Sequence, residues 1–136
     1  MKRNRLRLWG ILTALCVAMI FLQSALPASA SHTESTGVLA FVQSLLPWVT
    51  HNLLRKAAHF TEFLLFGFAL TKTFRYAKNF YLLKPLAFGL LTALCDETLQ
   101  LYIPGRSGQI TDVWVDFAGA LTGALLVWLF YKLRRK

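Results

Sequence analysis

The sequence predicts an all-α, polytopic membrane protein: a bundle of four transmembrane helices with a short interfacial helix in the first outer loop. Three observations carry that prediction. The 136 residues are 56% hydrophobic with mean hydropathy +0.49, too apolar for a soluble domain of this size. The apolar residues fall in long blocks. The formal net charge of +9 sits in short clusters beside those blocks. That is the pattern of membrane flanks and not of a nucleic-acid-binding surface, so no nucleic acid partner is expected. Size priors give one domain over residues 1–136.

Lys2, Arg3, Arg5 and Arg7 precede the first span, 8–26. At about 1.5 Å per residue it covers roughly 28 Å, enough to cross a bilayer. The basic start and Ala28-Ser29-Ala30 also fit a cleavable secretory signal, but the apolar run exceeds the usual core of about 7–15 residues, so a retained helix is expected. A small polar loop is expected over 27–36, with Glu34 its only acid. The following segment, 37–49, is broken by Gln43, Ser44 and Pro47; it is too short to span and suits the interface, with Trp48 at headgroup level. The second span is 57–74. A basic connection follows, and Pro85 opens the third span, 85–103. Pro104-Gly105-Arg106-Ser107-Gly108 reads as a turn, and the fourth span is 112–131. Cys16 and Cys95 lie inside apolar segments and read as small core hydrophobes.

Charge sets the orientation. Twelve of the fifteen Lys and Arg residues flank the same side of a four-span topology: Lys2, Arg3, Arg5, Arg7, Lys72, Arg75, Lys78, Lys84, Lys132, Arg134, Arg135 and Lys136. That side is the cytoplasm, which places a multi-pass protein in the cell membrane with both termini cytoplasmic. Arg55, Lys56 and Arg106 fall on the other side. So do all the acids beyond Glu34, namely Glu62, Asp96, Glu97, Asp112 and Asp116. Membrane flanking does not explain this outer cluster.

Its parts have helical phase. At about 100° per residue, Arg55, His59 and Glu62 share one stripe, with Lys56 to one side. Asp96 and Gln100 share a face with Thr92 and Gly89, while Glu97 projects about 100° away. Asp112, Asp116, Gly119 and Gly123 share a third face, on which the glycines clear a path for a neighbouring backbone. Ionisable groups at membrane depth are costly and need a function or a partner. Blander readings compete: a Glu–His pair that locks helices, Gln100 as interhelical glue, Asp112 as a first-turn acid that suits the helix dipole, and Arg106 as counter-ion to Asp112 or Glu97.

These blocks, RKAAHFTEF at 55–63, DETLQ at 96–100, PGRSG at 104–108 and DVWVDFAGALTG at 112–123, resemble the VanZ-like family, and Phe21-Leu22-Gln23-Ser24 is similar to that family's first-span ending. The resemblance extends over most of the chain. It implies a small integral membrane protein of about four helices, associated with resistance to the glycopeptide teicoplanin. It singles out Lys56, His59, Glu62, Asp96, Glu97, Gln100, Arg106, Asp112 and Asp116.

Three functions follow. The first is binding or remodelling of an anionic envelope lipid or lipid-linked cell-wall precursor at the outer leaflet. Arg55, Lys56 and Arg106 would hold phosphate, with Asp96, Glu97, Gln100 and Asp112 completing the ligand site. The second is an intramembrane hydrolase or transferase on a lipid-linked phosphate, with His59, Glu62 and Asp116 as its catalytic group. The third is a structural partner of another membrane protein. A divalent metal on His59, Glu62 and the aspartates is a variant of the second, but nothing matches H-E-x-x-H and the helix of His59 and Glu62 is expected to hold no second histidine, so no metal and no cofactor are expected.

Overall fold

In a computed structural model of the chain, residues 2–77 and 81–134 are described, with the side chains of 28 and 30–35 excepted. The expected roles of Lys78, Arg135, Lys136 and the Glu34 side chain therefore lie outside the described residues. Among the described residues five helices follow in order: α1 Lys2–Ser24, α2 Ala28–Leu45, α3 His51–Tyr76, α4 Leu83–Gln100 and α5 Ile110–Leu133. The described residues form no strand. Two of the helices, α1 and α5, are long and apolar enough to cross a membrane.

Several boundaries have a local cause. Pro27, with φ −56° and ψ 149°, separates α1 from α2, since proline fixes its own backbone and biases the residue before it away from helix. The polar loop expected over 27–36 is instead the start of α2. Its Ala- and Ser-rich run holds no breaker between Pro27 and Gly37, so the helix runs from Ala28 to Leu45 and stops ahead of Pro47. The Thr50 hydroxyl caps α3 by accepting from Leu53 N at 3.2 Å. This cap starts α3 six residues ahead of the expected span and puts His51 on the same helix as His59, correcting the expectation of a lone histidine there. Helix α4 ends at Gln100 and not at 103. Leu101, Tyr102 and Ile103 donate to carbonyls three residues back, at 3.2, 3.0 and 3.2 Å, the tight winding of a helix end that runs into Pro104.

Helices α3 and α5 lie side by side and run in the same direction. Lys56 Nζ bonds Asp112 Oδ1 at 2.8 Å at one end, and Lys72 Nζ bonds the Tyr131 hydroxyl at 3.3 Å at the other. Their approach is backbone to backbone. A Cβ on Gly119 would strike the Phe60 carbonyl, one on Gly123 the Leu64 carbonyl, and one on Gly67 the Ala120 carbonyl. The path expected at Gly119 and Gly123 is therefore filled by α3. Helix α1 runs against α3, with the Thr13 and Thr73 hydroxyls 3.0 Å apart, and α4 also runs against α3, with the Phe74 and Phe88 rings 5.6 Å apart. Hence α1 begins, α3 ends, α4 begins and α5 ends at one end of the bundle. Cations sit on aromatic rings there: Lys72 lies 5.4 Å from the Trp9 ring centre, and Arg75 3.6 Å from that of Tyr131.

The core contains Ile20, Phe63, Phe66, Leu70, Ala93, Val113 and Ala120. Large apolar side chains also cover the outside, with Leu8, Ile11, Leu15, Met19 and Leu22 forming an exposed stripe along α1. The buried residues include Ser24, Thr71, Asp96, Glu97, Gln100, Asp112 and Asp116. Exposed leucine around buried carboxylates is costly in water and suits an apolar surrounding.

Candidate functional site

The buried carboxylates gather at the end of the bundle opposite the aromatic cations. His59 from α3 and Asp116 from α5 face each other across the glycine seam, Nδ1 to Oδ1 at 3.2 Å. From α4, Asp96 and Glu97 join them, and one ligand atom from each of His59, Asp96, Glu97 and Asp116 lies within 4.8 Å of all the others. The sequence puts Asp96 and Glu97 on directions about 100° apart, yet both reach the group. Gln100 bridges them: its Nε2 lies 3.1 Å from Asp96 Oδ2, 3.3 Å from Glu97 Oε1 and 3.2 Å from the Ser24 hydroxyl. Glu97 Oε2 also accepts from Gln109 N at 2.8 Å, which ties the start of α5 to α4.

Asp112 departs from its expected role. It does lie in the first turn of α5, but its carboxylate is buried between Arg55 Nη2 and Lys56 Nζ, each at 2.8 Å. The two α3 cations are thus held across the helix pair, and Asn52 Oδ1 accepts from Arg55 at 3.3 Å. Arg106 pairs with neither Asp112 nor Glu97. It donates from Nε to the Leu26 carbonyl and from Nη2 to the Gln23 carbonyl, both at 2.8 Å. A cation there bonds the carbonyls that close the end of α1 and complements the negative end of its dipole. Partial burial lowers the Arg106 pKa from its ordinary value, with the Asp96 carboxylate the main opposing influence; the guanidinium remains charged.

A cavity of about 290 Å³ opens beside this group. Arg55, His59 and Glu62 of α3, Arg106 of the turn, and Gln23 and Ser24 of α1 supply its polar wall. Val38, Leu54 and Ala58 supply its apolar wall, and His51 adds a second imidazole. Sequence reasoning singled out neither Gln23, Ser24 nor His51 as site residues. The signal for the first two was a polar pair closing an otherwise apolar run. His51 gave none, because it falls outside the apolar span.

The family model VanZ/LLP1 matches residues 9–131, nearly the whole chain. The chain belongs to the VanZ/LLP1 family. No curated protein and no solved structure matches it. In this VanZ/LLP1 protein the matched segment contains all ten residues expected at the site. Seven of them, His59, Asp96, Glu97, Asp116, Arg55, Lys56 and Asp112, form two adjoining clusters of buried carboxylates and half-buried bases. Gln100 bridges two of the carboxylates, and Glu62 and Arg106 face the cavity alongside.

Proposed function

We propose that the protein crosses the membrane four times, through α1, α3, α4 and α5, with both termini in the cytoplasm. In this reading it binds an anionic envelope lipid or lipid-linked cell-wall precursor at the outer leaflet. The apolar outer faces and the shared end of the four helices support the topology. So does the basic and aromatic character of that end, which matches a cytoplasmic interface. The observation that carries the binding function is the cavity at the opposite end. It joins two guanidinium groups to an apolar wall, the complement of a phosphate headgroup attached to an acyl or prenyl chain. Two of the five N–H donors of Arg106 are taken by carbonyls, which fixes the group in place and leaves donors for a ligand.

Mass spectrometry of lipids retained by the full-length protein tests this reading. Wild type should carry an anionic lipid, and Arg106→Ala should lose most of it. Equal retention of the same lipid by both would refute it. Teicoplanin susceptibility of strains with and without the gene tests the phenotype.

A second reading draws on the His59–Asp116 pair, in which a carboxylate 3.2 Å from an imidazole would orient it for general-base catalysis once substrate aligns the two. It makes the protein a hydrolase or transferase on a lipid-linked phosphate. Turnover of such a substrate, lost in His59→Ala, would select it over binding alone.

A further inference from the structure

We propose that His59, Asp96, Glu97 and Asp116 form a binding site for one divalent cation of the Mn²⁺ or Zn²⁺ class. The argument begins with unsatisfied atoms. Asp96 and Asp116 are fully buried. Asp116 Oδ1 and Oδ2, Asp96 Oδ1 and His59 Nδ1 all lack a hydrogen-bond partner. Buried carboxylate oxygens without partners are rare, because each costs the desolvation of a charged acceptor. His59 Nδ1 and Asp116 Oδ1 approach to 3.2 Å without the alignment of a hydrogen bond. Two atoms bound to the same ion at about 2.1 Å stand about 3.0–3.4 Å apart, so this unaligned approach fits two ligands of one ion.

Charge gives the second argument. Among the described residues, the ion pairs of Arg55 and Lys56 go to Asp112, while Arg106 bonds backbone carbonyls. Asp96, Glu97 and Asp116 therefore face no paired Lys or Arg. A buried negative group of this size calls for a cation. One imidazole with three carboxylates favours Mn²⁺ or Zn²⁺ over Ca²⁺ or Mg²⁺, which prefer oxygen alone. The supporting contacts are those of a held ligand set: Gln100 bonds the other oxygen of Asp96 and one of Glu97, and Gln109 N bonds the other oxygen of Glu97. His59 also lines the cavity, so the ion would lie next to it. The expectation of no metal rested on the missing second histidine of one helix motif, whereas these four ligands come from three helices. The site stands independently of the lipid reading.

The test uses the full-length protein in detergent, stripped with chelator and dialysed against MnCl₂ or ZnCl₂. Wild type should retain about one ion per chain, and the ion should raise its thermal midpoint. Asp116→Asn and Asp96→Asn should each lower the affinity at least tenfold, while Thr98→Val, on the exposed face of α4, should retain the ion. If the Asn variants do not accumulate, wild type loaded with Mn²⁺ should show coupling of the electron spin to an imidazole nitrogen. Wild type without a stoichiometric ion, Asn variants that bind as wild type does, or Mn²⁺ without nitrogen coupling would each overturn the proposal. Lipid retention is measured separately, so loss of one function leaves the other legible.

Discussion

Alanine at Gly119 or Gly123 sets two opposing effects against each other, and the structure decides the sign. On propensity alone, Gly→Ala in a helix interior stabilises by about 1 kcal/mol. At Gly119 the new Cβ would collide with the Phe60 carbonyl and lie 3.1 Å from Leu64 N and from Phe63 Cβ. At Gly123 it would collide with the Leu64 carbonyl and lie 2.6 Å from Phe68 N. Most of these atoms are α3 backbone and cannot rotate away, so the helices must part by roughly 1 Å to regain ordinary contact. Overpacking of this kind costs about 1–3 kcal/mol. The net expectation is a loss of about 0–2 kcal/mol per substitution. The double variant should lose less than the sum, because the first parting makes room for the second. Gly10→Ala is the control: nothing lies within 4 Å of its Cβ position, so it should be stabilised by up to about 1 kcal/mol. Denaturation of the purified chains in detergent measures all four. If Gly119→Ala and Gly123→Ala gain stability as Gly10→Ala does, the close α3–α5 seam is wrong. Parting the helices also lengthens the 3.2 Å approach of His59 to Asp116, so Gly119→Ala should weaken ion binding even where the chain still folds.

Further outcomes are expected. Asp112→Asn leaves Arg55 and Lys56 facing a neutral group, and between the exposed and buried limits it should cost about 1–3 kcal/mol. Arg55→Ala should cost less, because Lys56 still holds the carboxylate; equal losses in denaturation would contradict the shared ion pair. Arg106→Lys should behave like Arg106→Ala in lipid retention, since an ammonium cannot reproduce the fixed two-carbonyl fork. For topology, in a background without Cys16 and Cys95, Glu34→Cys and Ser107→Cys should label from outside and Lys78→Cys from inside. Labelling of 34 and 107 from opposite sides would break the four-span arrangement.

The sequence alone determined the helical class, because apolar blocks of fixed length and their basic flanks are local properties of the chain. It also determined which residues are anomalous, since His59, Glu62, Asp96, Glu97 and Asp116 interrupt apolar helices wherever those helices pack. The face shared by Asp112, Asp116, Gly119 and Gly123 was legible for the same reason: helical phase is set within a few residues. Helix ends were less so. Thr50 as a cap brought His51 into α3, and the uninterrupted run after Pro27 turned an expected loop into helix. Partner choice was decided only by the tertiary structure. Nothing local says that Asp112 takes both α3 cations, that Arg106 turns to the end of α1, or that Asp96 and Glu97 converge despite their angular separation. Those outcomes depend on how closely α3 approaches α5 and on which side of that pair α4 lies. Separation along the chain carries no information about either, so ligands drawn from three helices left no spacing to read.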